Sequence, residues 1–454
     1  MPHVTFVPLT GVRVARPELL ELGLTLPGLR KRGAAIASLP SLGLLTLAGM
    51  TPERFTCSFH ESDGRSSEEL IEEVSLRRPM LVVISALTAS AREAYRLGDD
   101  LKRRGLPTVF GGLHATSCAE EAAAHFDAVV IGDGEPVWHE VLRDAEQGSL
   151  KRFYRSGTRY DLSQSPVPNW GLLEGRARPR FTLQTQRGCP LACEFCAASR
   201  LLGRFREKPV ENIRRELETI RGYDPHPVVE LADDNTFAGA RDVDELFDAL
   251  EGSGARWFTE ADWRIGTRPE ILRRMASSGC VQVLVGIESM VEEYRGMGTK
   301  RAEHGRIMDA LCAVQEAGVA VIGCFVVGAD GETRESIDTL AQYLDGCDLT
   351  DVQLTVQTPF PGTALRDRLA REGRILQDRG WDHYTLFDVT YQPDRMSVRD
   401  LETSFQELAR WTYRCEATRR REAIRKRAWQ NHPRRNGLRS LRWHDSSSDR
   451  EKPS

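Results

Sequence analysis

Three cysteines stand within eight residues, Cys189-Pro-Leu-Ala-Cys193-Glu-Phe-Cys196, with no fourth candidate ligand beside them. Three thiolates at C-x3-C-x2-C spacing can hold three corners of a [4Fe–4S] cluster and leave the fourth iron open. An open iron can bind a substrate or cofactor, whereas four-cysteine clusters and structural zinc sites close their coordination. The same spacing also admits three core cysteines, or a zinc site with a distant fourth ligand. An apolar, strand-like run at 181–185 precedes the motif, so the cysteines fall on a loop at a strand's carboxyl end. Parallel α/β architectures place their chemistry there.

The elements needed to position such a loop are legible in the hydrophobic pattern. The first 150 or so residues alternate strands with helices. Residues 80–86 form a continuous apolar run, as in a strand buried on both faces. Further strand candidates are 4–9, 55–60, 108–110 and 128–131. Helices are expected at 42–50, 67–76 and 91–104, the last ended by Gly105. Five strands alternating with helices imply an open, doubly wound parallel sheet. Residues 151–180 read as a linker, broken by Ser, Pro and Gly. A second series places strands at 181–185, 228–232, 257–261, 281–287, 319–327 and 352–358, with helices between them. Six βα units are too few for an eight-stranded barrel. From 361 the pattern is mostly helical to about 430, and residues 431–454 read as a basic, polar, disordered tail.

The motif's aromatic before the third cysteine, Phe195, and its lead-in Thr185-Gln-Arg-Gly-Cys-Pro resemble the radical S-adenosylmethionine (SAM) superfamily. The resemblance implies an open (β/α)6 partial TIM barrel over 181–360. Cys189, Cys193 and Cys196 would hold a [4Fe–4S] cluster whose open iron is chelated by SAM. The reduced cluster would then cleave SAM to methionine and a 5′-deoxyadenosyl radical. In that family Asp233, Asp234 and Asn235, after the second barrel strand, would include the group holding the SAM ammonium. They depart from the common Gly-Gly-Glu form, and a polar turn is the alternative. Arg264 could pair with the methionine carboxylate in a bidentate way, or form a surface ion pair. Glu288 and Ser289 match the family's Gly-x-Glu-Ser, and Gly328 would let backbone approach the adenine. Gln357-Thr-Pro-Phe-Pro-Gly-Thr363 resembles a segment of the superfamily's cobalamin-associated members.

The first 150 residues resemble the cobalamin-binding domain, a Rossmann-like fold, that accompanies such barrels. The matching residues are Ser85 and Thr88, Gly111, Gly112 and His114, and Gly132, Gly134 and Glu135. Hydroxyls and bare glycines at strand ends suit a nucleotide tail. The Asp-x-His-x-x-Gly run that supplies cobalt's lower ligand elsewhere is absent, and His60-Glu-Ser-Asp-Gly64 does not match it. Cobalamin is therefore expected without a histidine ligand. His114, after the fourth strand, reads as a tail contact or a core histidine.

Composition narrows the function classes. The 454 residues are 40% apolar with a net charge of −4, so there is no global polyanion-binding signature and nucleic acid is not an expected partner. No apolar run reaches the roughly 18 residues of a membrane span. The amino terminus lacks a basic stretch followed by a long apolar one. A cytoplasmic location is expected, as suits an oxygen-sensitive cluster, and the other seven of ten cysteines read as buried thiols. From Glu416 onward 12 Lys/Arg face 5 Asp/Glu, and a solvated helix with a tail accounts for them.

The expected function is that of a cobalamin-dependent radical SAM enzyme transferring a methyl group to an unactivated carbon. Its partners would be a small-molecule or peptide substrate and an electron donor such as flavodoxin or ferredoxin. Ring formation, rearrangement and methylthiolation are the enzymatic alternatives. A non-catalytic cobalamin- or redox-responsive binding protein is the alternative from another class.

Overall fold

The computed structural model describes residues 1–9, 11, 13–26, 29, 40–61, 66–175, 180–191, 193–291, 296 and 302–434. The tail from 435, part of 431–454, and residues 62–64 of the His60 segment lie outside the described residues. Two all-parallel sheets organise the chain. The first contains β1 (His3–Leu9), β2 (Thr56–Phe59), β3 (Leu81–Ala86), β4 (Thr108–Gly111), β5 (Ala128–Ile131) and β6 (Phe153–Arg155) in the order β2-β1-β3-β4-β5-β6. The second contains β7 (Phe181–Leu183), β10 (Val228–Leu231), β11 (Arg256–Asp262), β12 (Cys280–Glu288), β13 (Ala320–Val327) and β14 (Asp351–Val356) in the order β14-β13-β12-β11-β10-β7. Between β7 and β10 lies a two-residue antiparallel pair, β8 (Gln186–Arg187) with β9 (Arg206–Glu207).

Local sequence explains these elements. In β3 Leu81, Val82, Val83 and Ile84 are all buried, alternate members facing two different cores. Each such side chain contributes about 1.5–3 kcal/mol by leaving water. The helix Ser67–Leu76 starts at a Ser66–Glu69 capping box. The helix Pro269–Ser278 ends where Gly279 turns to φ +102°.

One boundary differs from the sequence reading. Phe153–Arg155, inside the expected linker, pairs with β5 and makes the first sheet six-stranded rather than five-stranded. Three residues are too few to show a strand period, and pairing with β5 supplies what local pattern does not. Residues 162–164 and 170–173 form 3-10 turns, and Trp170 packs edge-on against Phe181 of β7. In the second sheet β7 and β14 are the outermost strands among the described residues, as in a partial barrel. The helices Val398–Thr412 and Cys415–Gln430 pack beside β14, where the Tyr413 hydroxyl donates to the Val352 carbonyl at 3.0 Å. Among the described residues no helix is long and apolar enough to cross a membrane.

Candidate functional site

The three cysteines lie on the loop that β8 and β9 close at its base. Gly188, just inside that neck, has φ +79°, and a Cβ there would meet the Gly203 carbonyl at 3.1 Å. No other residue type fits both demands without strain. None of the three is joined in a disulfide; Cys193 is buried and Cys189 and Cys196 are partly exposed. The Cys196 amide donates to the Cys193 carbonyl at 3.3 Å, and Ser199 Oγ donates to the Cys196 carbonyl at 3.1 Å. Among the described residues no three His, Cys, Asp or Glu side chains converge as ligands of one metal ion. The thiolates of a cluster bind different irons, so three thiols spread over one loop are the donor set a cluster needs.

The far side of the loop is held by the helix Ala364–Arg371. The Leu365 amide donates to the Glu194 carbonyl at 2.9 Å, and Arg368 grips the Glu194 carboxylate at 2.8 and 3.2 Å. Arg368 also reaches Asp330, after β13, at 2.6 Å. Phe195 packs among Ala329, Leu365, Leu369 and Tyr391. It forms the apolar backing of the loop.

At the end of β10, two adjacent aspartates have different surroundings. Asp233 is 3% exposed and accepts four hydrogen bonds: Thr185 N at 2.7 Å, Thr185 Oγ1 at 2.5 Å, Gln186 N at 3.1 Å and Thr236 Oγ1 at 2.9 Å. It latches the end of β10 to the lead-in of the cysteine loop, and its oxygens are committed. Asp234 is only partly buried. Burial, then the charge of Asp233, pushes its carboxyl up to about 6. Asn235 is braced against Asp262, donating from Nδ2 to Oδ2 at 3.1 Å.

Asp262 in turn accepts Arg264 Nε and Nη2, both at 2.8 Å, which fixes the guanidinium as a fork. Those hydrogen bonds raise the Arg264 pKa. Glu288 closes β12 with φ +68° and is 7% exposed; the pairing with β13 shifts register there. A buried non-glycine residue in that conformation costs on the order of 1–3 kcal/mol, and such strain gathers at functional sites. Ser289 Oγ donates to Glu332 at 2.8 Å, and Glu332 also accepts the Gly328 amide at 2.6 Å. Burial pushes the Glu332 carboxyl up to about 7. Gly328 has φ +91°, its carbonyl accepts the Tyr391 hydroxyl, and a Cβ would strike that hydroxyl at 2.5 Å.

The carboxyl ends of β3, β4 and β5 open on a cavity of about 280 Å³ that reaches the second sheet. Ser85, Gly111, Gly112, Gly132, Gly134 and Glu135 line it from one side. Gln184, Arg187 and Ala232, beside the cysteine loop, line it from the other. A Cβ on Gly132 would meet nothing within 4 Å, so bare backbone is offered to a ligand there. None of the described lining residues is histidine.

Two residues of the expected set are not among the described residues lining this cavity. His114 is 1% exposed, its Nε2 shares a hydrogen bond with the Tyr95 hydroxyl at 2.8 Å, and its Nδ1 lies 3.3 Å from Thr88 Oγ1. Burial lowers its pKa to about 4, so the ring is neutral. His114 is a buried histidine and Thr88 its hydrogen-bond partner.

The sequence reading missed an ion cluster between the sheets. Arg187 donates to Asp133 at 2.8 Å and to Glu135 at 2.6 Å, and Arg206 donates to Asp133 at 2.7 Å. Burial alone would raise the Asp133 carboxyl, but the Arg206 and Arg187 guanidiniums outweigh it and hold the pKa below its ordinary value. These partners lie 52 to 73 residues apart, and no spacing signal joins them.

The radical SAM superfamily model matches residues 183–344, and the B12 binding domain model matches residues 35–142. Among curated proteins, the chain is 23% identical over 389 residues to bacteriochlorophyllide d C-12(1)-methyltransferase of Chlorobaculum tepidum, covering 84% of each. It is 24% identical to hopanoid C-2 methylase of Rhodopseudomonas palustris, covering 75% of this chain and 66% of that one. The fold is shared with the cobalamin-dependent SAM radical enzyme OxsB at TM-score 0.67 and 14% identity, over 89% of this chain and 66% of that one. The methyltransferase TsrM of Kitasatospora setae aligns at TM-score 0.61 and 15% identity, over 89% of this chain and 82% of that one. The chain thus carries a radical SAM domain together with a B12-binding domain, and the cofactors these two domains imply are a [4Fe–4S] cluster, SAM and cobalamin.

Proposed function

We propose that this enzyme is a cobalamin-dependent methyltransferase that acts on an unactivated carbon of a small-molecule or peptide substrate. One observation carries the reading: a single cavity is lined both by the glycines of the B12-binding part and by residues flanking the cysteine loop. Residues 1–150 together with β6 would form the corrinoid-binding part, the rest of 151–180 the connection, 181–360 the SAM barrel and 361–430 a helical buttress.

When bound, the cluster and SAM together supply a carbon radical, and the corrinoid supplies the methyl group. The chain's own residues position these groups. Cys189, Cys193 and Cys196 hold the cluster. Asp234 takes the SAM ammonium, since its carboxylate is partly buried, and Asp233 is already filled. Arg264, held as a fork by Asp262, takes the methionine carboxylate. Glu288 accepts from ribose hydroxyls. Backbone at Gly328, kept in place by Glu332 and Tyr391, meets the adenine. Ser289 acts through Glu332. Ser85, Gly111, Gly112, Gly132 and Gly134 cradle the corrinoid. A flavodoxin or ferredoxin of the cytoplasm would supply the electron.

The test is anaerobic reconstitution with iron, sulfide and hydroxocobalamin, followed by desalting. About one corrinoid should remain per chain, and reduction with SAM present should yield 5′-deoxyadenosine. An intact cluster with no corrinoid retained would remove methyl transfer and leave another radical reaction. Corrinoid without 5′-deoxyadenosine would indicate a binding protein.

A further inference from the structure

The neck of the cysteine loop sets two arginines against each other. Arg187 and Arg206 are directly opposite in the β8–β9 pair. Like charges in that position repel. The turn after β5 answers them. Asp133 accepts Arg187 through Oδ1 at 2.8 Å and Arg206 through Oδ2 at 2.7 Å. Glu135 accepts the other arm of Arg187 at 2.6 Å. All four side chains are at most 15% exposed. Arg206 is further tied to the Tyr160 carbonyl at 3.0 Å and the Leu202 carbonyl at 2.8 Å. Asp133, Glu135 and Arg187 line the same cavity.

We propose that Asp133, Glu135 and Arg187 are positioning residues that lock the corrinoid-binding turn to the neck of the cluster loop, and so set the distance between corrin and cluster. The inference rests on the cofactor reading above. Without Asp133 the two guanidiniums face each other nearly dry, and the neck opens. Without Arg187, Glu135 is left buried and uncompensated, which is the costly way to break a buried ion pair. Either change frees the turn, and with it the corrinoid, from the cysteine loop. The cysteines themselves are untouched, so the cluster still assembles.

The experiment uses the full chain loaded with cluster and hydroxocobalamin, then reduced so that cob(II)alamin and the cluster both carry an unpaired electron. Pulsed dipolar EPR reads the distribution of distances between them, while equilibrium dialysis reads hydroxocobalamin affinity and iron analysis reads cluster content. The wild type should show one narrow distribution. Asp133→Asn and Arg187→Met should each broaden it at least about twofold and weaken hydroxocobalamin binding about tenfold, as expected for a broken buried pair, with iron content unchanged. Arg187→Lys keeps the charge but lacks the fork that spans two carboxylates. It should fall between wild type and Arg187→Met, and it decides the matter if the harsher variants do not fold. Wild-type width and affinity in the variants that fold would overturn the lock. A wild type that binds no hydroxocobalamin despite full iron content would overturn the cofactor reading, and the lock with it.

Discussion

The neighbouring aspartates after β10 should fail in opposite ways. Asp233→Ala removes the acceptor of four hydrogen bonds. The Thr236 hydroxyl keeps a partner in Thr259 at 2.5 Å, and the Thr185 hydroxyl can turn. The Thr185 and Gln186 amides cannot, and both residues are at most 1% exposed. An orphaned buried donor costs about 1–3 kcal/mol, so losing the partner of both amides costs about 2–6 kcal/mol. With a urea slope of roughly 2–3 kcal/mol/M, the midpoint of the unfolding transition should fall by about 1–3 M. Asp234→Asn should do the reverse. Its carboxyl is raised to about 6 from an ordinary 3.8. A raised acid is penalised when ionised, so its contribution to stability is fully present below pH 3.8 and lost as pH rises through about 6. Asparagine lifts that penalty, leaving stability at neutral pH equal or slightly higher. SAM affinity, read by equilibrium dialysis on the reconstituted protein, should fall about 10- to 100-fold, the range expected when a partly buried charge pair loses one charge. In the wild type, SAM affinity should also weaken as pH falls through about 6, where Asp234 takes up a proton. An Asp233→Ala protein of wild-type stability that no longer binds SAM, or an Asp234→Asn protein with unchanged affinity, would refute the assignment of roles.

Other expectations are as direct. Glu332→Gln should flatten the part of the stability profile that declines between pH 4.5 and about 7, because an acid raised by burial favours the folded state only while protonated; parallel profiles for variant and wild type would exclude this. Cys193→Ala should abolish stable iron loading and 5′-deoxyadenosine formation together, since two thiolates cannot hold the site; full 5′-deoxyadenosine yield would remove the cysteine assignment. Glu288→Ala should weaken SAM binding at least about tenfold with iron content unchanged, and unaltered affinity would take Glu288 out of the site. Bound cob(II)alamin should show no nitrogen splitting from a protein imidazole, because both ring nitrogens of His114 are engaged in the core; a splitting that vanishes in His114→Gln would contradict that.

Much of this molecule is written in local pattern. The apolar run of β3, the capping box at Ser66, the glycine stops at Gly105 and Gly279 and the six strands of the second sheet all follow from propensity and period. These depend on neighbours a few residues away, which a sequence displays. The cysteine spacing likewise announces its chemistry, because one loop must supply all three thiolates.

What tertiary structure decided is which side chains remain available. Asp233 and Asp234 are the same residue type side by side, and only the donors at Thr185, Gln186 and Thr236 distinguish latch from candidate ligand. His114 reads equally as a tail contact or a core histidine until Tyr95 and Thr88 close on it. Arg187 and Arg206 look like ordinary charges until Asp133 reaches both from the other sheet. β6 exists as a strand only because β5 offers it an edge. Each of these depends on residues brought together from distant parts of the chain. Burial then makes the pairing count, since a polar group away from water must find its partner wherever the fold provides one.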